Sequence, residues 1–390
     1  MRVLAITQIW PNSLEPLSSA FNLQQLKELA KGCDLRVLAA VPYFPGSART
    51  GQPPRAALLD ALPARESIHG IDTVYLRQLY VPKIGVAVAV PLYLASLAPY
   101  RAMVKECDVV LGTWAYPDGC AATLFAHALG KPCVVKVHGS DVNLVAKIPS
   151  ARAVLRRILP MTEAMVSVSQ PMCEELAVLG VPRARIHLVP NGVDTALFAP
   201  RDRDEARRAL GIPLGRPVVL FVGRLEPQKG LAELLEAWKS VRNARPDAIL
   251  ALVGEGVSKD RVAALGPAWG EGLRAPGALP LADVARWMAA CDVFTLPSWA
   301  EGTPNVVLEA LAAGRPAVGS RVGGIPDVLA DPRSGLLVPA RDAASLANAL
   351  LAAIARKWDP ESVRACGPGS WSDSAEKLRG ILQGAVRGRR

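Results

Sequence analysis

Apolar residues in this chain come in short runs, and the runs alternate with segments of helical spacing. Residues 2–9, Leu35 to Val41, Asp72 to Leu76, Val109 to Thr113, Val134 to His138, Met165 to Ser169 and Ile186 to Val189 read as strands. Several are apolar throughout instead of alternating, the mark of strands covered on both faces. Phe21 to Ala30 and Cys120 to Leu129 carry the three-and-four spacing of helices. Pro190-Asn191-Gly192-Val193-Asp194 breaks the pattern, and the polar stretch Pro200 to Arg208 follows. A second series starts at Pro217. Its strands are Val218 to Val222, Ile249 to Val253, Val293 to Leu296, Ala317 to Ser320 and Leu336 to Val338, with helices such as Leu231 to Val241 and Leu281 to Ala290. Strand and helix alternating twice over predict an α/β protein with two doubly wound, Rossmann-like parallel sheets. The expected domains are 1–195 and 196–370, with a helical, basic tail at 371–390. Residues 46–66, holding several Pro, Gly and Arg, read as an irregular surface loop.

Composition narrows this picture. At 390 residues the chain is too long for one ordinary core. Net charge is +10, from 19 Lys and Arg against 14 Asp and Glu in residues 1–200 and 26 against 21 in the remainder, so no basic tail dominates. An even spread with 5% aromatic residues speaks against nucleic acid and for an anionic ligand or an anionic membrane surface. The seven cysteines are odd in number and form no Cys-x-x-Cys pair, which fits a reducing cytosol. Met1 to Ile6 reads as a first strand and not as a signal peptide. The apolar run Ile84 to Pro99, broken by Pro91, is too short to span a bilayer.

Candidate chemistry gathers at strand ends. Glu301-Gly302-Thr303-Pro304-Asn305-Val306-Val307-Leu308-Glu309 follows one strand and opens a helix that stops at Gly314. Thr303 is placed to cap that helix and Pro304 to sit in its first turn. The amides of such a turn, with the positive end of the helix dipole, make an anion site. Taken alone, the two carboxylates are equally at home as solvated surface. Gly223-Arg224-Leu225-Glu226-Pro227-Gln228-Lys229-Gly230 brings two cations to the end of another strand, where they are either solvated or hold a diphosphate. Val137-His138-Gly139-Ser140-Asp141 ends a strand in the first half, with His138 either structural or part of a site. Gly323-Gly324 is either a tight turn or a ligand contact. No Asp-x-Asp pair and no His, Cys and Asp cluster has metal-ligand spacing, so no bound metal is expected. A dinucleotide fingerprint fails because Lys259 stands where the third glycine after Gly254 and Gly256 is required.

The order of these pieces carries a resemblance. Gly223-Arg224-Leu225, Lys229-Gly230, Gly254-Glu255-Gly256, Leu296-Pro297-Ser298, Glu301-Gly302, Pro304-Asn305, Glu309-Ala310, Gly314, Pro316 and Gly323-Gly324-Ile325-Pro326 resemble the retaining nucleotide-sugar glycosyltransferases of family 4, which have the GT-B fold. The likeness spans nearly the whole chain. It includes His138 to Asp141, Pro190 to Asp194 and Trp371. It implies two Rossmann-like domains facing across a cleft, with the C-terminal helix crossing back to the first. It also implies roles. Arg224 and Lys229 would neutralise the donor's diphosphate, sharing the charge with amides near Asn305 and Val306. Gly302, Thr303 and Pro304 would belong to the same donor-binding stretch. Glu301 would contact the donor sugar and Glu309 the ribose, and Leu279 would meet the base through its backbone. His138 would line the reacting face of the sugar. Ser18, Ser19, Asp141 and Asn191 are further candidates. No cofactor is implied beyond the nucleotide diphosphate sugar as co-substrate.

One departure stands out. The family often has glycine in the loop after the first strand, whereas residues 7–20 contain none. The acceptor is expected on the first domain, at 10–20, 43–66, 80–100 and 112–118, as a saccharide or a lipid-linked saccharide. Lys147, Arg152, Arg156 and Arg157, set among apolar residues, suit an anionic membrane surface, so a cytoplasmic, peripheral protein is expected. The alternatives are a non-catalytic nucleotide-sugar-binding protein or a sugar-nucleotide epimerase on the same fold.

Overall fold

The structure, a computed structural model, describes residues 1–16, 18–79 and 85–389, without the side chains of residues 85, 87, 140 and 143. Residue 17 of the stretch 10–20 and residues 80–84 of the stretch 80–100 therefore lie outside the described residues. The chain divides into two compact units, one made of Met1–Asn191 with Trp371–Arg390, the other of Gly192–Ser370.

The first unit carries an eight-stranded sheet. Its strands are β1 (Arg2–Thr7), β2 (Asp34–Tyr43), β3 (Arg65–Ile68), β4 (Ile71–Leu79), β5 (Val109–Thr113), β6 (Cys133–Lys136), β7 (Ala164–Ser167) and β8 (Ile186–Leu188). The order is β3-β4-β2-β1-β5-β6-β7-β8, parallel except for the edge pair β3 and β4. All five residues of β5 and all four of β6 are buried, as expected of strands with helices on both faces. The predicted loop at 46–66 is more ordered than its composition suggests. It holds the short helices Ser47–Thr50 and Pro54–Leu59 and the start of β3.

The C-terminal helix Trp371–Arg387 belongs to this unit and packs against the helix Ala20–Ala30. Its buried face is Trp371, Ala375, Leu378 and Leu382. Each such leucine contributes about 1.5–3 kcal/mol by leaving water. A buried polar network ties the same region together. Lys136 Nζ donates to Gln25 Oε1 at 2.5 Å and to Asn191 Oδ1 at 3.2 Å, Gln25 Nε2 donates to Ser374 Oγ at 2.8 Å, and Ser374 Oγ donates to the Pro190 carbonyl at 2.7 Å. Burial pushes the Lys136 ammonium down to about 7.

The second unit has β9 (Val218–Val222), β10 (Ile249–Val253), β11 (Leu273–Gly277), β12 (Val293–Leu296), β13 (Ala317–Ser320) and β14 (Gly335–Val338). They form one parallel sheet in the order β11-β10-β9-β12-β13-β14. This is the doubly wound order, in which connections leave in opposite directions from the two central strands. The crevice beyond the carboxyl ends of those strands is where such sheets bind ligands. In the first unit that point lies between β1 and β5; in the second, between β9 and β12. All seven cysteines are free thiols, five of them buried. Among the described residues no helix is long and apolar enough to cross a membrane.

Candidate functional site

In the second unit the loops after β9 and β12 meet at the switch point. The first loop ends in a short 3₁₀ turn, Pro227–Lys229, and Gly230 then starts the helix Leu231–Ala244. Gly230 has φ +70, and a Cβ there would lie 1.9 Å from the Pro297 carbonyl oxygen. Only glycine lets the two loops approach this closely. The approach sets Lys229 against the loop after β12. Lys229 Nζ donates to Glu301 Oε1 at 2.6 Å, and Ser298 Oγ donates to the same oxygen at 2.6 Å. The Glu301 side chain is 9% exposed and that of Lys229 23%. On the other side, Gly323 (φ +53) and Gly324 press on this loop, with Gly324 N–H donating to the Gly302 carbonyl at 2.6 Å. The glycine pair is therefore a close backbone contact behind Glu301.

The helix after this loop is Asn305–Ala312. Two details of its start differ from expectation. Pro304 is the N-cap residue and lies outside the first turn, so the cap position is not that of Thr303. Proline's fixed φ suits the extended conformation found there, φ −75° and ψ 114°. The amides of Asn305 and Val306 occupy the first turn. Glu309, one turn further on, is half-buried and makes no hydrogen bond or ion pair among the described residues. Burial pushes its carboxyl up to about 7.

Arg224 is not drawn into the ion pair. Its guanidinium is 72% exposed and donates to Glu226 Oε1 at 2.8 Å. The loop that bears it is zipped to the loop after β10: Gly223 N–H donates to the Val253 carbonyl at 3.0 Å, and Leu225 N–H to the Glu255 carbonyl at 2.8 Å. Leu279 lies between β11 and the helix Leu281–Ala290, partly buried against the unit's core. Gly277, two residues before it, accepts a hydrogen bond from Gly254 N–H at 2.9 Å, so that strand end sits beside the Arg224 loop.

In the first unit His138 stands just past β6. Asp141 holds its loop by accepting from the N–H groups of Ala115 at 2.9 Å, His138 at 3.1 Å and Gly139 at 2.7 Å. Asp141 thus acts through backbone. The His138 ring lies 4.9 Å from the Phe21 ring and stacks on Trp114 at 6.3 Å. The residue as a whole is half-buried, but both ring nitrogens are closed to solvent and have no hydrogen-bond partner among the described residues. Burial, with Lys136 behind it, holds the imidazole well below its usual range, so it is uncharged at neutral pH. Orphaned buried nitrogens of this kind call for a partner. Asn191 is buried and holds Lys136, as described above. Ser19 takes the N-cap position of the helix Ala20–Ala30 with φ +54, and Ser18 Oγ lies 3.4 Å from Ser19 Oγ. In the glycine-free loop, a serine has adopted the left-handed conformation that glycine favours.

Residues 26–197 match the model described as Glycosyltransferase Family 4, and residues 216–356 match Glycosyl transferases group 1. TuaC of Bacillus subtilis (strain 168), a glycosyltransferase assigned to teichuronic acid biosynthesis, is 30% identical over 365 residues, spanning 90% of this chain and 88% of TuaC. The chain belongs to the family 4 glycosyltransferases. This glycosyltransferase is also 28% identical, over 73% of its length and 78% of the relative's, to the GDP-mannose-dependent monoacylated alpha-(1-6)-phosphatidylinositol monomannoside mannosyltransferase of Corynebacterium glutamicum. In fold it is similar to Anabaena HepE, solved in complex with UDP, with a TM-score of 0.73 at 20% identity over 98% of this chain and all of that one. Its two parallel sheets are those of GT-B glycosyltransferases.

Sequence reasoning missed three residues of this glycosyltransferase's site. Ser298 was legible only as part of Leu-Pro-Ser; its bond to Glu301 needs the fold. Trp114 follows an apolar strand and gives no signal until it stacks on His138. Gly230 shows in the sequence only as the last residue of the Arg224 stretch, and its contact with Pro297 spans 67 positions.

Proposed function

We propose that this glycosyltransferase is a retaining, metal-independent enzyme that moves a sugar from a nucleotide diphosphate sugar to a saccharide or lipid-linked saccharide in cell-surface polysaccharide or glycolipid synthesis. It would work in the cytoplasm, peripherally at the membrane. The observation that carries the reading is the knot of Lys229, Glu301 and Ser298 beside the N-terminus of the helix Asn305–Ala312, at the switch point of the second sheet. Teichuronic acid for one relative, and a phosphatidylinositol monomannoside for the other, support such an acceptor.

The chemistry follows from charge. The bond between the sugar's anomeric carbon and the diphosphate breaks, and its electron pair goes to the phosphate oxygen. Lys229, the first-turn amides of Asn305 and Val306, and Arg224 once turned from Glu226 stabilise that growing negative charge. The acceptor hydroxyl bonds to the anomeric carbon from the same face, and its proton passes to the departing phosphate. Glu301, fixed by Lys229 and Ser298, contacts hydroxyls of the donor sugar. Glu309 takes the ribose hydroxyls, and Leu279 meets the base through its backbone. His138, in the first unit, is uncharged and has ring nitrogens to offer to a hydroxyl. The first-formed product keeps the donor's anomeric configuration, which NMR reads directly, and turnover survives chelation of divalent metal; inversion or loss of activity with chelator would contradict these two points.

The donor site is tested by thermal shift with a panel of nucleotide diphosphate sugars. A ligand at 100 times its dissociation constant adds about 2.7 kcal/mol of stability. One member of the panel shifts the wild type, and Arg224→Ala loses most of that shift. A second axis is pH. Hydroxyls donate better to an ionised carboxylate, and Glu309 is protonated below about 7 in the empty site, so binding there must release a proton. Affinity then rises with pH toward 7, by up to about tenfold per unit, and Glu309→Gln flattens the dependence. If no nucleotide sugar shifts the wild type, the donor assignment fails.

A further inference from the structure

The loop that carries Ser298 and Glu301 also carries Trp299, a side chain for which the donor chemistry has no use. Three other elements of the second unit hold it. Its backbone N–H donates to the Gln228 carbonyl at 2.8 Å, in the 3₁₀ turn that ends in Lys229. Its indole N–H donates to Glu233 Oε1 at 3.1 Å, in the first turn of the helix Leu231–Ala244. Arg341, in the turn after β14, lays its guanidinium over the ring, 4.3 Å from the centroid. An indole is the best of the aromatic faces for a cation.

This clamp is held at a cost. Arg341 has φ +62, in the left-handed region that a residue with a long side chain resists. The turn is fixed just beyond it, where Asp342 caps the helix Ala343–Ala355 by accepting from Ser345 N–H at 2.9 Å and from Ser345 Oγ at 2.6 Å. Arg341 makes no ion pair among the described residues, so the ring is what its charge meets. Glu233 is committed to the indole: its other oxygen, Oε2, is buried and has no hydrogen-bond partner among the described residues. Backbone strain and an unsatisfied buried oxygen persist where a side chain has to be aimed.

We infer that Trp299 is a positioning residue for Glu301, and that Arg341 and Glu233 serve sugar transfer through it. Trp299 follows Ser298, which donates to Glu301, and stands two residues before Glu301 itself. Its backbone is tied to the loop of Lys229. The clamp therefore sets the spacing of the two loops that form the Lys229–Glu301 pair, at points other than the pair. A tilt of the ring shifts Glu301 against the donor sugar, and an ångström of displacement can cost about 100-fold in rate. The inference rests on the transferase reading, because it takes Glu301 to contact the donor sugar.

Arg341→Gly is the first test. Glycine adopts φ +62 without strain, so the variant keeps the wild-type Tm while losing its hold on the ring. Turnover is read as release of nucleoside diphosphate, to acceptor or to water, from the nucleotide sugar that gives the largest shift in the thermal panel. Its kcat falls about three- to tenfold in Arg341→Gly. Arg341→Lys, which keeps a cation over the ring, recovers part of the loss. Trp299→Ala loses about 100-fold, Trp299→Phe, which gives up only the bond to Glu233, falls between, and Arg341→Gly adds nothing in the Trp299→Ala background. The thermal shift by the bare nucleoside diphosphate persists in every variant, because the groups that meet the diphosphate are unchanged. A purely structural role would lower Tm and kcat together. Wild-type kcat in Arg341→Gly, or an additive loss in the double variant, overturns the inference. So does loss of nucleoside diphosphate binding in step with kcat, which would make the clamp a support of the whole site. A wild type that no nucleotide sugar shifts removes the transferase reading and this inference with it, whereas an active wild type beside an equally active Arg341→Gly removes this inference alone.

Discussion

Lys229→Ala is expected to lower kcat/KM by about 10²–10³, mostly through kcat, the range seen when one fixed donor to a developing negative charge is removed. In the resting site Lys229 is held by Glu301 at 2.6 Å, so it is already placed and needs no reorganisation when the diphosphate departs. The variant has a second consequence. Glu301 is 9% exposed, and the variant takes away the cation that holds its carboxylate. Breaking a buried ion pair is costly, several kcal/mol in full burial and less here because Lys229 itself meets solvent. Stability should therefore fall by about 1–3 kcal/mol in Lys229→Ala, and adding Glu301→Gln should restore part of it. The double-mutant cycle separates the two roles: stability recovers in the double variant while kcat does not. A Lys229→Ala enzyme with wild-type kcat would show that this cation does not serve the leaving group.

Gly323→Ala is expected to be nearly as damaging without touching a functional side chain. An added Cβ would lie 2.0 Å from the Glu301 carbonyl oxygen and 2.7 Å from its carbonyl carbon, at a φ of +53 that alanine already resists. Both neighbours are backbone, so no rotamer change relieves the clash, and the loop carrying Glu301 and Gly302 must move. The left-handed conformation alone costs about 1–2 kcal/mol, and with the steric term a loss of about 2–4 kcal/mol follows. In a unit of this size that lowers Tm by about 5–10 °C. The displacement of Glu301 should reduce kcat/KM by about 100-fold or more, since an ångström of misplacement can cost that much. Gly130→Ala is the control. Its φ is +73, but a Cβ there meets nothing within 4 Å, so it should lose about 1–2 kcal/mol and keep full turnover. Normal activity in Gly323→Ala would mean that the Glu301 loop is not fixed from behind.

The interior strands were legible because burial on both faces writes itself into the chain as unbroken apolar runs. β5 and β9 appear in the sequence with the bounds they have in the fold. Edge strands bury little, and their sequences show it. β3 is Arg-Glu-Ser-Ile, and β11 contains Pro276 with only part of its surface covered, so neither was predicted. The start of the helix at Asn305 was misjudged by one position for a related reason. Pro304 serves equally well as a first-turn residue or as an extended N-cap, and the choice is made by the loop that Gly323 and Gly324 hold in place.

By itself, the sequence determined the alternation of strand and helix, the two sheets and the stretches that reach the strand ends, because periodicity and backbone chemistry are local and survive in one dimension. It also supplied the residue types for an anion site. Only the tertiary structure decided which of them meet. Lys229 and Glu301 are 72 positions apart, and they pair because Gly230 admits the Pro297 carbonyl. Arg224, the neighbour in sequence, instead points to solvent and Glu226. In the first unit the cavity of about 640 Å³ beside Trp114 is lined by seven separate segments of chain, and no single segment carries the sign of a pocket.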